Sequence, residues 1–310
     1  MTQTLGKRIL CMGSINIDLV MFMQQFPSPG ETIMTDNFQT FPGGKGGNQA
    51  VTAARLGGAV SYFTKLGDDG FSQELISKQK EASVDTHSIL IEEGSTAGVA
   101  MIWVDESGQN SISFTPGANQ LLSPADVQAN AHIFDQADIL LITMEIQTET
   151  VYEAIRLAKS KGLLVVLDPA PAPAGGIPDE IAALVDYTKP NETEAEILTG
   201  IKVTDEASAK LALDALKAKG FQTPIVSLGS QGAATYVDQV FYWIDPIKVE
   251  SIDTTAAGDV FIGAFTAALS MDESFTACLK YAKTAAAIST TRKGAQSSIP
   301  NREEVLSIMQ

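Results

Sequence analysis

Leu163-Leu164-Val165-Val166-Leu167-Asp168-Pro169 is an unbroken apolar run stopped by an acid and a proline. A run of that length without polar alternation reads as a strand buried on both faces. A helical pattern, Thr150 to Lys161, precedes it. Before that stands another apolar strand, Ile139-Leu140-Leu141-Ile142, with Glu145 just past its end. Buried strands alternating with helices define an α/β chain with a mostly parallel central sheet. Ile9-Leu10-Cys11-Met12-Gly13, Val60 to Leu66 and Ile225-Val226-Ser227-Leu228 read as further strands. Helices are expected from Phe71 to about Glu81, from a Thr204 cap to Lys219, and from Phe275 to about Ser289.

Two other stretches have strand-like periodicity but no helix between them. Val20 to Phe41 is interrupted by Phe26-Pro27-Ser28-Pro29-Gly30. Ala97 to Val104 and Ser111 to Thr115 flank the hairpin turn Asp105-Glu106-Ser107-Gly108. They predict a small β appendage with exposed edges, which must cover something or pair with a second subunit.

The 310 residues suit two domains, or one large α/β domain with an appendage, and a 45% apolar content fills a core without disulfides or structural metal. The formal charge is −16, from 21 basic and 37 acidic residues, with no basic stripe. Nucleic acid and anionic membranes are therefore poor partners, and a bound polyanion must rely on local N–H groups, a few lysines and a cation. Cys11 and Cys278 sit in apolar patterns and read as reduced, buried thiols. Residues 1–8 are polar with no apolar leader, and no run reaches membrane-spanning length, so a cytoplasmic protein is expected.

Chemistry concentrates at Asp253-Thr254-Thr255-Ala256-Ala257-Gly258-Asp259, which opens the apolar helix Val260-Phe261-Ile262-Gly263-Ala264-Phe265. Small residues leave the backbone uncovered at a helix start, where free N–H groups and the dipole attract anions. Asp259 beside such a site makes sense if it faces a hydroxyl that attacks a bound phosphate. Read alone, the stretch fits equally a capping acid with small residues for close packing.

Asn16 and Asp18 alternate with Ile15, Ile17 and Leu19, so both polar side chains share a face beyond a strand end. The loop Gly43-Gly44-Lys45-Gly46-Gly47-Asn48-Gln49-Ala50 opens a helix ending near Leu56. It is neither a P-loop, since Gly46 follows Lys45, nor a dinucleotide fingerprint, since Gln49 replaces the third glycine. Its four glycines still let a ligand approach the backbone, with Lys45 and Asn48 as donors. Asn191-Glu192-Thr193-Glu194 has the grammar of a capping box.

These phrases, with Gly13-Ser14-Ile15-Asn16-Ile17-Asp18, Gly67-Asp68-Asp69-Gly70 and Thr291-Arg292-Lys293-Gly294-Ala295-Gln296, occur in an order that resembles the ribokinase-like (PfkB-type) carbohydrate kinase family from about Arg8 to Pro300. Two departures are Ala256 where the family usually has Gly, and Gly47 where Ala is expected.

The resemblance implies a single three-layer α/β/α domain with a lid sheet from about 17–41 and 97–116. It implies transfer of the ATP γ-phosphoryl group to O5 of a pentose, D-ribose first, or to deoxyribose, another sugar or a nucleoside. Asp259 would be the general base, and the backbone of Ala257, Gly258 and Asp259 the anion hole. Asn16, Asp18, Gly44, Lys45, Asn48 and Glu145 would hold the sugar. Asn191 and Glu194 would order water around Mg²⁺. Ser227, Gly229 and Gly232 would line the nucleotide, with Lys283 near the adenine. Asp253, Thr255, Ser289, Arg292, Gly294 and Ser298 would surround a monovalent cation such as K⁺. The exposed edges of the two β segments predict a homodimer packed through the lid. A non-catalytic sugar sensor on the same fold is the rival from another class, and the intact Asp259 with Asn191 and Glu194 speaks against it.

Overall fold

The computed structural model describes residues 6–35 and 37–309. Most of the polar amino terminus, residues 1–5, therefore lies outside the described residues. The central sheet has six strands, in the order Thr223–Pro224, Tyr187–Thr188, Leu164–Asp168, Ile139–Thr143, Arg8–Met12 and Ala59–Phe63, and every neighbouring pair is parallel. The apolar run Leu163 to Leu167 thus falls in a central strand with helices on both sides.

Period-two alternation divides the core. Ile9 and Cys11 face one apolar cluster with the helices Lys45–Arg55, Ala257–Ser270 and Phe275–Ser289. Leu10 and Met12 face the other, with Thr148–Ser160, Glu192–Thr199 and Glu206–Ala218. The Ala257–Ser270 helix is buried on nearly all sides because its residues are small or apolar. A Cβ on Gly263 would stand 2.7 Å from Cβ of Thr52, so this glycine sets the close approach to the Lys45–Arg55 helix. Among the described residues no helix is long and apolar enough to cross a membrane.

The two β segments join into one four-stranded sheet, ordered Asn37–Gly43, Asn16–Phe22, Gly98–Val104, Asn110–Thr115. Asn16–Phe22 follows the central strand Arg8–Met12 almost directly, so this second sheet stands over the carboxyl ends of the parallel strands.

Several boundaries differ from the sequence reading. Val60 to Leu66 is two pieces. Ala59–Phe63 stays in the central sheet, whereas Lys65–Gly67 pairs with Leu90–Glu92. The break falls at Thr64, whose hydroxyl donates to the carbonyl of Gly13 at 2.7 Å and turns the chain inward. Of the strand expected over Ile225 to Leu228 only Val226–Ser227 forms, and it joins an antiparallel sheet with Ala233–Val237 and Val240–Ile244, while the central-sheet strand lies just before it at Thr223–Pro224. The helix expected to start at Thr204 is capped by Asp205, whose carboxylate accepts from the Ser208 N–H at 2.8 Å. Asp is a strong N-cap acceptor, and the Ser208 hydroxyl accepts from the Thr204 N–H instead.

Candidate active site

The Ala257–Ser270 helix begins without a side-chain cap. Ala256 takes its place in a left-handed conformation, φ 60°, which costs a non-glycine residue about 1–2 kcal/mol. The turn this creates aims the first N–H groups of the helix into a cleft. The N–H of Ala257 bonds to the carbonyl of Thr254 at 3.2 Å. Those of Gly258 and Asp259 have no partner among the described residues. A Cβ on Gly258 would lie 3.1 Å from Nζ of Lys189, so the bare glycine makes room for an ammonium at the helix start. N–H groups, dipole and lysine together form a site for a polyanion.

Asp259 is buried and held from both sides. Asn48 donates to its Oδ2 at 3.0 Å and Gln49 to its Oδ1 at 3.1 Å. Gln49 also donates to Oδ2 of Asp168 at 2.7 Å. Lys189 lies 3.7 Å from Oδ1 of Asp168. Burial pushes the Asp168 carboxyl up, Lys189 and Lys45 draw it back, and Asp259 and Glu194 push it up again, to about 6. Lys45 sits among these acids. Burial lowers its ammonium, but Asp259, Asp168, Glu145 and Glu194 outweigh that and leave it raised, hence charged. Cys11 is inert: burial and then the Asp259 charge hold its thiol well above the usual range.

The sugar-binding candidates gather on the other side of Asp259. Gly44, φ 84°, leads into the Lys45–Arg55 helix, and a Cβ there would stand 2.7 Å from Cα of Ile15. Glu145 fixes the same turn, since its Oε2 accepts from the Lys45 N–H at 2.9 Å and from the Ser14 hydroxyl. Asp18 stands over Gly43, where a Cβ would approach its carboxylate to 2.6 Å. Burial, and then the charge of Glu145, push the Asp18 carboxyl up to about 6. Asn16 is locked by Asn119, whose Nδ2 donates to its Oδ1 at 2.9 Å. Asn48 donates its Nδ2 to Asp259 and keeps a buried Oδ1 with no partner among the described residues.

The nucleotide candidates line one cleft of about 650 Å³ that reaches Asp259 and Lys45. Asn191, Glu194, Ser227, Gly229, Gly232, Gly258 and Lys283 all border it, as do the apolar Ile244, Ile247 and Ala287. The capping box is real: Asn191 Oδ1 accepts from the Glu194 N–H, and Glu194 Oε2 accepts from the Asn191 N–H, both at 2.9 Å. A capping role does not exclude a second one, because both side chains still border the cleft. Lys283 donates to the Asp245 carbonyl at 3.0 Å, which ties its helix to the cleft wall.

The cation candidates divide. Asp253 accepts from the Thr255 N–H at 2.9 Å and from the Gly294 N–H at 2.8 Å, and so bolts the 290s loop to the turn before the anion site. Thr290 carbonyl accepts from the N–H of Ile252 and Asp253. Ser289 and Arg292 sit in the same turn, joined by an N–H to carbonyl bond of 3.1 Å. Ser298 is buried and bonds back to the Ala295 carbonyl, with no link to Asp253. No group of three His, Cys, Asp or Glu that suits a metal occurs among the described residues. One carboxylate with backbone carbonyls is a donor set for a large monovalent ion, not for Mg²⁺.

Four residues of this site have no role in the sequence reading. Gln49 appears there only as a missing glycine and Asp168 only as the end of a strand, while Lys189, two residues before the Asn191 tetrad, does not figure in it. Asn119 has no sequence signal for its part in the site, since Ile15 and Asn16, which it bonds, are more than a hundred residues away.

A helix start with free N–H groups, opening on a cleft that the buried Asp259 carboxylate also borders, above a parallel sheet, is the arrangement of an α/β protein that binds a phosphate beside a carboxylate. The pattern of the pfkB family carbohydrate kinases matches residues 7–302. A ribokinase of Haemophilus influenzae is 41% identical over 304 residues, covering 98% of this chain and 99% of that protein. A deoxyribokinase of Salmonella typhi is 37% identical over 296 residues, covering 96% of each. The structure of Arabidopsis thaliana ribokinase complexed with ribose and ATP matches with a TM-score of 0.92 at 29% identity, over 98% of this chain and 99% of that one. The chain belongs to the pfkB family of carbohydrate kinases and is an ATP-dependent sugar kinase.

The Asp18 environment has a measurable consequence. Its folded value of about 6 lies above the ordinary 3.8, so the native state holds this proton where the unfolded chain has lost it. Stability should therefore fall as pH rises from about 4 to about 6, relative to Asp18→Asn, which cannot ionise. Urea unfolding of both proteins across that range checks the sign. A constant difference between them would show that Asp18 is not held in an unfavourable charge environment.

Proposed function

We propose that this kinase transfers the γ-phosphoryl group of ATP to O5 of D-ribose, giving ribose 5-phosphate and ADP. The observation that carries the reading is the junction at Asp259. There a buried carboxylate, held by the Asn48 amide, stands in the first turn of a helix whose Gly258 and Asp259 N–H groups are free. The likeness to ribokinases over nearly the whole chain supports ribose. In this reading Asn16, Asp18, Gly44, Lys45, Asn48 and Glu145 hold the sugar with its primary hydroxyl on Asp259. Asp259 takes the proton, O5 attacks the γ-phosphorus, and the bond to the β–γ bridging oxygen breaks. The free N–H groups of Gly258 and Asp259, with Lys189 beside them, take up the charge that develops, whereas the Ala257 N–H expected to join them is engaged by the Thr254 carbonyl.

The nucleotide lies along Ser227, Gly229 and Gly232 and reaches Lys283. Asn191 and Glu194 fit water-mediated contacts to Mg²⁺, because they offer one carboxylate and one amide and not a chelating cluster. The metal would supply charge neutralisation between the phosphates. Asp253, Thr255, Ser289, Arg292, Gly294 and Ser298 are the proposed monovalent-cation loop, and a bound K⁺ would brace the turn leading into the anion hole. The second sheet is the lid of this single domain. Asp18, Phe41, Ala100 and Phe114 lie on one rung of it, so Phe22, Ile102, Ile112 and Phe114 share the face that bears Asp18. Phe22, Ile112 and Phe114 are exposed there, which favours coverage by the lid of a second copy in a homodimer. Catalysis on this soluble pair of substrates is placed in the cytoplasm.

Deoxyribose is the second reading, because the Salmonella deoxyribokinase is nearly as similar as the ribokinases. ADP release measured with ribose, deoxyribose, fructose and adenosine separates them. The highest kcat/KM should be with ribose, and a higher value with deoxyribose would replace the sugar. Asp259→Asn keeps the shape and should lower kcat by roughly 10²- to 10⁴-fold while ATP still raises the melting temperature. Near-wild-type turnover of this variant would remove the base assignment.

Replacing K⁺ by a bulky organic cation at constant ionic strength and saturating Mg²⁺ should lower activity, and Asp253→Ala should blunt the response. Equal rates in the two salts would sink the cation site. In sedimentation equilibrium at micromolar concentration the wild type should be a dimer and Ile112→Glu a monomer. A fully active wild-type monomer would refute the lid-to-lid assembly.

A further inference from the structure

The geometry points to Gln49 as a positioning residue for phosphoryl transfer. Its one side-chain amide ties the carboxylate of Asp259 to the buried Asp168–Lys189 pair. This rests on Asp259 being the base. Gln49 is fully buried, and its Nε2 meets two carboxylates, Asp168 at 2.7 Å and Asp259 at 3.1 Å. A primary amide nitrogen carries two hydrogens, so both are used. Carboxylates accept and do not donate when ionised, which fixes which end of the amide points at them. Its Oε1 has no partner among the described residues, so the side chain is placed by its nitrogen alone.

The four groups come from four places: the Lys45–Arg55 helix, the end of the Leu164–Asp168 strand, the segment after Tyr187–Thr188, and the start of the Ala257–Ser270 helix. Two buried acids this close would repel and turn away from each other. The shared amide removes that freedom, and Lys189, 3.7 Å from Asp168, balances the charge of that acid. Asp168 is therefore an anchor whose position is set by the sheet. Gln49 transmits that position to Asp259, whose Oδ2 is held separately by Asn48. With both oxygens pinned, the plane of the carboxylate is fixed relative to the anion hole one residue away. Displacement of a reacting group by about 1 Å costs on the order of 10²-fold in rate.

The test is the split between kcat and KM in Gln49→Met, which keeps the volume and removes both donors. The sugar contacts assigned above do not include Gln49. Hence kcat should fall about ten- to a hundredfold while KM for ribose and for ATP stays within about threefold. Asp168→Asn should lower kcat less, and the double variant should be no worse than Gln49→Met, because both act through one link. Gln49→Glu, which preserves shape, is measured beside it and should also lose at least about tenfold in kcat, since it offers no amide donors. A wild-type kcat in either folded Gln49 variant, or a loss confined to KM, overturns the proposal. If Gln49→Met does not fold, Gln49→Glu alone decides by the same criterion. Asp259→Asn is run in parallel. If that variant is active, the base assignment fails; if it is inactive while the Gln49 variants turn over normally, only the positioning role fails.

Discussion

The arrangement depends on holding the Asp259 carboxylate correctly turned while it is buried beside other acids and opposite a polyanion site. Two amide donors, from Asn48 and Gln49, hold its oxygens, and the ammonium groups of Lys45 and Lys189 lie among the surrounding carboxylates. The excess of negative charge over the whole chain is irrelevant at this scale, because the lysines and helix N–H groups act within a few ångströms.

Close backbone approach is the second requirement, and it is met by small residues at particular points. Gly44 lets the Lys45 helix start against Ile15, Gly43 leaves space for the Asp18 carboxylate, and Gly258 leaves space for Lys189. Gly263 permits the helix that carries Asp259 to touch the helix that carries Asn48 and Gln49. Ala256 is the exception: it accepts a left-handed backbone that glycine would adopt freely. Packing of the buried helix that follows offsets that strain, and the turn is held on its other side by Asp253 and the Gly294 N–H. Hydrogen bonds from Thr255 and Gly294 and the nearby Lys293 charge outweigh burial and keep Asp253 below the usual carboxylate range, so it grips the loop as an anion.

The amino acid order by itself determined the parallel sheet, since continuous apolar runs such as Leu163 to Leu167 have no solvent-facing alternation and must be covered on both sides. It also determined the helix start at Asp259, the Asn191 capping box and the polar face of Asn16 and Asp18. Each of these is a pattern of neighbours along the chain, readable from period, propensity and cap chemistry. The divided strands at Thr64 and Ile225 were beyond it, because which sheet a short apolar piece joins is decided by partners elsewhere in the chain. So was the Asp205 cap, where two adjacent residues competed for one position.

Only the tertiary structure decided the network around the carboxylate. Gln49, Asp168 and Lys189 are separated by more than a hundred residues in part and share no motif, and Asn119 reaches Asn16 from a different element altogether. A single glutamine in a glycine-rich loop has no sequence feature that distinguishes a core amide from a link between two acids. The distinction is made by distance alone. Hydrogen bonding and charge pairing act through space, and the fold sets which side chains meet there.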